Sequence, residues 1–290
     1  MKLSLGERIF NCVVYLILVM VFFIAFFPLM YVVATSFASA KELAENQFLI
    51  FPRRPTLEVY QYIFSTSTFT RSMLVTIGIT VVGTAVNLMM TCLMAYPLSR
   101  RMLPGRKWIM MAVTFTLVFN GGMIPTYLVV SGMGMIDSYL ALIIPGAISS
   151  FNLILVKNFF QEIPDSLIDA AQIDGSSELN TLFKIVLPLS KPALATFTMF
   201  YAVGHWNQFM QPLLYLNDSK KWTIQILLRQ IVLMSQSGVG DEDAMPPGFV
   251  LPVKSLKMAC IVVSTLPIIA AYPFMQKYFD KGVMTGSVKG

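Results

Sequence analysis

The chain has 290 residues, 56% of them hydrophobic and 12% charged, with a formal net charge of +6 and a mean hydropathy of +0.69. Soluble domains carry about 25% charged residues, so this composition excludes a water-soluble globular fold and points to an integral membrane protein. The bases lie in short segments beside apolar runs, where they set orientation, and give no reason to expect a nucleic-acid partner.

A bilayer core of ~30 Å needs ~20 apolar residues in helical form. Six runs qualify, at about 12–34, 72–97, 108–130, 139–156, 192–215 and 256–275. Backbone groups unpaired in lipid each cost several kcal/mol, so spanning runs are helices or closed barrels. Barrel strands are ~10 residues long and alternate in polarity; these runs do neither. The expected fold is all-α, a polytopic membrane bundle of six transmembrane helices in a single domain, 1–290. Cys12, Cys92 and Cys260 all fall inside runs, without the spacing of a disulfide framework or a metal site.

Lys2 and Arg8 precede the first run and "ASA" stands at 38–40, both features of signal peptides. A signal core is only ~7–15 residues, so a retained first helix is expected. In the segment 35–71 that follows, Thr56 is placed to cap a short surface helix. The loop "SRRMLPGRK" (99–107) carries four bases and no acid, whereas "SGMGMID" (131–137) has no base. Basic short loops mark the cytoplasmic side, which puts 99–107 inside, 131–137 outside and, with six spans, both termini in the cytoplasm. "NGGMIP" (120–125) predicts a kink in the outer half of the third span.

Residues 157–191 then fall in the cytoplasm and read as two short helices at an elbow. Asp165 is the expected N-cap of the first, whose small apolar face is Ile163, Leu167, Ala170 and Ala171. Gly175 suits a left-handed C-cap, and Ser176 can cap the second helix, with Glu178 near its positive end. Leu179, Leu182, Phe183 and Val186 follow as an apolar stripe, which Pro188 is expected to end. Pro192 suits the first turn of the next span. Such a unit fits either a docking element for a partner or a loop helix lying on its own bundle.

The fifth span holds the densest intramembrane polar group: His205, Trp206, Asn207, Gln208, Gln211 and Tyr215. Gln208, Gln211 and Tyr215 recur at helical spacing, and Asn87, Asn120 and Asn152 could join them from other spans. Aromatic faces with neutral amides suit a sugar, and amides also bond neighbouring helices in membrane bundles. His205, the only histidine, reads as an interhelical hydrogen-bonding group. Beyond it, Ile224, Leu227, Leu228 and Ile231 form one face of a helix expected to lie on the membrane or the bundle, followed by an acidic Gly/Pro-rich loop.

The elbow resembles the cytoplasmic "EAA" signature of permease subunits of binding-protein-dependent ABC importers. Asp169-Ala170-Ala171, Asp174-Gly175 and Leu187-Pro188 follow its spacing, departing from it in Asp169 for Glu and Ser176 for the usual Ala. "NGGMIPTYLVV", "YAVGHWNQFMQPLLYL" and the tail "YPFMQKYFDKGVMTGSVKG" are similar to the carbohydrate branch of these permeases, and especially to subunits importing oligouronates such as alginate or aldouronate fragments. The resemblance implies an ABC type I importer permease fold in the cytoplasmic (inner) membrane of a bacterium. It implies as partners a second homologous permease, two ATPase subunits and an extracytoplasmic sugar-binding protein, with a sugar as substrate and membrane lipid around it. Asp169, Ala170, Ala171, Asp174, Gly175, Leu179, Phe183, Leu187 and Pro188 are then the ATPase-coupling residues. Asn152, Trp206, Asn207, Gln208, Gln211 and Tyr215 are the candidate substrate path.

No G-x-x-x-x-G-K-[ST] phosphate loop occurs, since "GVMTGSVKG" has the wrong spacing. The expectation is a non-enzymatic transport subunit that binds no cofactor, with ATP and Mg used by the partner ATPase. The tail, with Lys277, Lys281, Lys289 and glycines 282, 286 and 290, resembles family tails that touch the ATPases; a basic end beside anionic lipid is the other reading. The loop around 236–250 would meet the binding protein, or be a plain connector. An ion-coupled secondary transporter is the competing class, but all fifteen acids lie in loops, tails or span ends. An intramembrane enzyme lacks its motifs.

Overall fold

The computed structural model describes residues 5–45, 51–237 and 253–286, and all regular structure among them is helical. The chain begins with α1 (Leu5–Ser36), α2 (Ala40–Glu45), α3 (Glu58–Ser65), α4 (Ser67–Ser99), α5 (Arg106–Val118) and α6 (Met123–Gly132). It continues with α7 (Leu140–Ile143), α8 (Ser150–Gln161), α9 (Asp165–Ile173), α10 (Glu178–Thr181), a π-helical turn (Leu182–Val186) and α11 (Leu187–Leu189). Then come α12 (Lys191–Trp206), α13 (Met210–Tyr215), α14 (Ile224–Ser237) and α15 (Val253–Gly286).

Among the described residues, three helices are long and apolar enough to cross a bilayer unbroken: Gly6–Ser36, Ser67–Ser99 and Val253–Pro273. The other expected spans are interrupted, and prolines account for where. A proline cannot donate to the carbonyl four residues back and crowds it. Pro125, Pro145 and Pro212 thereby weaken the helix at Gly121, Ala141 and Gln208, beside the breaks at 119–122, 144–149 and 207–209. The kink expected at "NGGMIP" is a bend of 117° between α5 and α6, because Gly122 adds a backbone at φ 83°, ψ 176° that only glycine adopts readily. The expected fourth span is the pair α7 and α8, with Ser149 Oγ accepting from Asn152 N–H at 3.4 Å to start α8.

The chain packs as two units, Met1–Thr70 with Leu228–Leu266, and Arg71–Leu227 with Pro267–Gly290. In the first, Ser255 Oγ donates to the Ala38 carbonyl at 2.8 Å, and Ser36 Oγ shares a 2.6 Å hydrogen bond with the Tyr60 hydroxyl. Thr56 stands one residue before the N-cap of α3, which is Leu57, and its Oγ1 accepts from the Glu58 N–H at 3.2 Å. In the second, Leu98, Leu153, Phe160, Leu182, Val186 and Phe197 meet in one core, joining the end of α4 to α8, the π-helical turn and α12. A smaller core around Ile79, Val130, Leu142 and Tyr215 gathers α4, α6, α7 and α13.

Candidate functional site

The first elbow helix, α9, starts one residue earlier than expected: Pro164 is its N-cap and Asp165 its first residue, where the carboxylate faces the positive helix end. It ends in a Schellman motif. Ser176 N–H donates to the Ala171 carbonyl at 2.9 Å and Gly175 N–H to that of Gln172 at 3.0 Å, with Gly175 at φ 79°. The second helix is capped by Ser177, not Ser176, through Ser177 Oγ accepting from Asn180 N–H at 3.3 Å. Ser176 instead accepts at Oγ from Asn180 Nδ2 (3.2 Å) and Thr181 Oγ1 (3.1 Å), tying the turn to the helix after it. Pro188 does not end this segment. The π-helical turn at 182–186 widens the backbone ahead of it, and the helix runs on through Leu187–Leu189 before an 87° bend into α12.

Burial sorts the elbow into two faces. Ile168, Ala171, Thr181, Leu182 and Val186 are buried. Ile173, Leu179 and Phe183 are 86%, 60% and 55% exposed, and Leu167, Asp169, Ala170, Asp174, Gly175 and Pro188 are exposed beside them, with Leu187 half-buried. The expected apolar faces are therefore divided: α9 buries Ile168 with Ala171, and the stripe on the second helix keeps Leu182 and Val186 inside while Leu179 and Phe183 face out.

Three contacts fasten the elbow to the end of α4. The Tyr96 hydroxyl donates to Glu178 Oε2 at 2.6 Å, and Gln172 Nε2 donates to Oε1 of the same carboxylate at 2.9 Å. Arg100 pairs with Asp165 at 3.6 Å while lying over the Tyr96 ring at 4.9 Å. Gln161 Nε2 donates to the Ser99 carbonyl at 3.2 Å. Glu178 thus links α4 to both elbow helices. Sequence reasoning missed Tyr96, Ser99, Arg100, Gln161 and Gln172; no spacing couples them to the elbow.

The polar group of the fifth span is also divided. The break at 207–209 ends the helical register on which Gln208, Gln211 and Tyr215 would have shared a face. Asn152, Trp206 and Tyr215 are buried, Gln208 is half-buried, and Asn207 and Gln211 are exposed. The amides go to backbone freed by the breaks: Gln208 Nε2 donates to the Leu142 carbonyl at 3.2 Å, and Asn87 Nδ2 to that of Gly146 at 2.9 Å. His205 Nε2 sits 3.1 Å from Asn87 Oδ1. Tyr215 stacks on Tyr127 at 6.1 Å. Asn120 turns back to accept from Gly122 N–H at 2.9 Å. Among the described residues, no group of three or more His, Cys, Asp or Glu side chains is arranged to hold a metal ion.

The sequence profile of the "Binding-protein-dependent transport system inner membrane component" family matches residues 89–285, from within α4 through the elbow and the polar group into α15. The chain belongs to this family. It is 52% identical over 284 residues to the polygalacturonan/rhamnogalacturonan transport system permease protein YtcP of Bacillus subtilis, covering 98% of this chain and 99% of that one. It is 52% identical over 267 residues to Protein LplC of the same organism, covering 92% and 90%. Its structure is similar to a chain of a bacterial ABC transporter involved in the import of the acidic polysaccharide alginate, with a TM-score of 0.90, 31% identity, and 96% and 99% of the two chains covered.

This transport component carries a second fastening away from the elbow. Asp137, at φ 60°, accepts at Oδ1 from the N–H groups of Asn217 and Asp218, both at 3.0 Å. Lys221 Nζ donates to its Oδ2 and to its carbonyl, each at 2.6 Å. The Asp218 N–H above all, and then the Lys221 ammonium, hold the Asp137 carboxyl below its ordinary pKa; Asp137 in turn raises that of Lys221. The loop after α6 is thereby clamped to the loop after α13. Of the other expectations, the loop 236–250 lies outside the described residues from 238 onward, as do tail residues 287–290, including Lys289 and Gly290. The backbone of Lys277, Lys281, Gly282 and Gly286 is helical, in α15.

Proposed function

We propose that the chain forms half of the translocation path of an ABC importer for oligosaccharides, with oligouronates as the substrate class. It crosses the cytoplasmic membrane of a bacterium six times with both termini inside, the α5–α6, α7–α8 and α12–α13 pairs serving as interrupted crossings. A second homologous permease completes the path, and an extracytoplasmic binding protein delivers the sugar. Two separate ATPase subunits bind ATP and Mg and receive the elbow. The observation that carries this reading is the outward apolar face of Ile173, Leu179 and Phe183 on an elbow whose other face is fastened to α4. A rigid projecting unit can pass the movement of an ATPase dimer to the helices as a rigid-body rotation between two states. The substrate class rests on the named transport of polygalacturonan/rhamnogalacturonan and of alginate by the relatives. The buried amides at the helix breaks hold the path's shape, while Asn207 and Gln211, exposed in this chain, are the members of the polar group best placed for sugar.

A cysteine at Ile173 tests the reading. In the assembled complex it should cross-link to the ATPase subunit and react with membrane-impermeant maleimide only in inverted vesicles. A strain lacking the chain should lose uptake of oligogalacturonides. Labelling from the cell exterior would sink the elbow assignment, and unimpaired oligogalacturonide uptake the substrate class.

A further inference from the structure

A recess of about 670 Å³ opens between the loop after α4, the start of α5 and α8, and its lining includes Arg101, Arg106, Lys107, Lys157, Gly105 and Trp108. The lining contains four cations and no acid. Lys157 is only 9% exposed, and among the described residues it has neither an ion pair nor a hydrogen bond. Four cations converging on one recess without an acid repel one another, so a site built this way favours an anion. Arg106 is held in place by its Nε donating to the Leu98 carbonyl at 2.8 Å.

The start of α5 adds to the same field. Its first turn has no acid and begins Arg106-Lys107, after Gly105, which supplies no side-chain cap. A helix N-terminus carries partial positive charge and favours acids or anions; here two bases stand on it and a third cation, Lys157, lines the same recess from α8. Evenly charged surface residues would not converge in this way. The surroundings identify the anion's source. Trp108, on the rim, is 72% exposed, and Ile109, Met111 and Phe115 continue along α5 as exposed apolar side chains. Tryptophan at such a position belongs to the membrane–water interface, and basic recesses between membrane helices take anionic headgroups.

We propose that this recess binds the phosphodiester headgroup of an anionic phospholipid, with Lys157, Arg106, Arg101 and Lys107 on the phosphate and the acyl chains lying along α5. The assignment requires only that the chain sits in a membrane, and so stands apart from the substrate and the elbow.

The test is native mass spectrometry of the assembled transporter, delipidated in mild detergent and then offered phosphatidylglycerol or phosphatidylcholine. The wild type should retain phosphatidylglycerol in preference to phosphatidylcholine. Lys157→Gln should lower that occupancy about tenfold, and the exposed double variant Arg101→Gln/Lys107→Gln should lower it several-fold. If Lys157→Gln fails to assemble, the double variant decides. Equal occupancy by the two lipids, or occupancy unchanged in the variants, overturns the proposal. Displacement of phosphatidylglycerol by millimolar inorganic phosphate assigns the recess to a soluble anion and overturns the lipid source. Loss of the ATPase subunit from the variants with phosphatidylglycerol retained assigns the cations to that partner and overturns it equally.

Discussion

The Tyr96 hydroxyl, in the last turn of α4, donates a 2.6 Å hydrogen bond to the Glu178 carboxylate at the start of the second elbow helix. Residues 82 apart in sequence are thereby joined at the point where a long apolar helix meets the elbow. A hydrogen bond to a charged group contributes roughly 1.5–3 kcal/mol, and the outer position of Glu178 argues for the lower end. Tyr96→Phe removes the bond and keeps the ring that lies beneath Arg100. Transport should fall several-fold while the complex still assembles and hydrolyses ATP. Glu178→Gln, which keeps an acceptor at the same reach, should lose less. Equal uptake by Tyr96→Phe and the wild type in proteoliposomes would show that the joint transmits nothing.

Gly175 gives a second test, because its surroundings are open: a Cβ there would meet nothing within 4 Å. Any penalty is then conformational alone. An L-residue in the left-handed region costs roughly 1–2 kcal/mol, so Gly175→Ala should lower the stability of the elbow by about that amount and reduce uptake modestly. Gly175→Pro cannot reach φ 79° and should abolish uptake without affecting membrane insertion. Gly175→Asn, which tolerates the left-handed region, should fall between wild type and alanine. A proline variant that assembles and transports normally rules out the Schellman turn as the hinge of coupling.

Much of the elbow was legible in the sequence because its signals are local. A glycine between two amphipathic segments, an acid at each helix start and prolines at set distances need no knowledge of the neighbours. What was illegible depends on partners distant in the chain. Leu179, Leu182, Phe183 and Val186 do form one stripe, yet it straddles the boundary of the core, and only the position of α4 and α8 decides which edge is buried. The amides near α12 form a continuous sugar-facing row only if 192–215 is one unbroken helix, and Pro212 stands inside that run. Its missing donor ends α12 early, and Gln208 turns to the backbone of α7.

Gly83 is required for close approach. A Cβ on it would lie 2.5 Å from His205 Nε2 and 2.7 Å from its Cε1, on the ring that faces Asn87. The ring cannot yield freely, since Asn87 is also engaged with the Gly146 carbonyl at the α7–α8 break. Overpacking of this kind costs typically 1–3 kcal/mol. Gly83→Ala should lower the thermal midpoint of the purified complex, and adding His205→Ala should recover part of the loss by making room. If Gly83→Ala and wild type melt together, close approach of α4 to the His205 ring does not contribute to stability.

The Asp137–Lys221 clamp makes a prediction about pH. Asp137 has a carboxyl pKa lowered on folding, so its contribution is complete above its unfolded pKa and is lost as pH falls through the lower, folded value. Lys221 has its pKa raised, so its contribution is complete below its unfolded value and is lost as pH rises through the higher, folded one. The clamp should hold unchanged across the neutral range and release at both extremes, at more acidic and more alkaline pH than either group would show alone. Hydrogen exchange at the amides of Asn217 and Asp218, both of which donate to Asp137 Oδ1, reports on it directly. In Asp137→Asn these amides should exchange faster at pH 7, because a neutral oxygen accepts more weakly and Lys221 loses its counter-charge. At a pH below the folded pKa of Asp137 the variant and the wild type should converge. Protection that is the same in both proteins at pH 7 would mean that the two loops are held together by something other than this carboxylate.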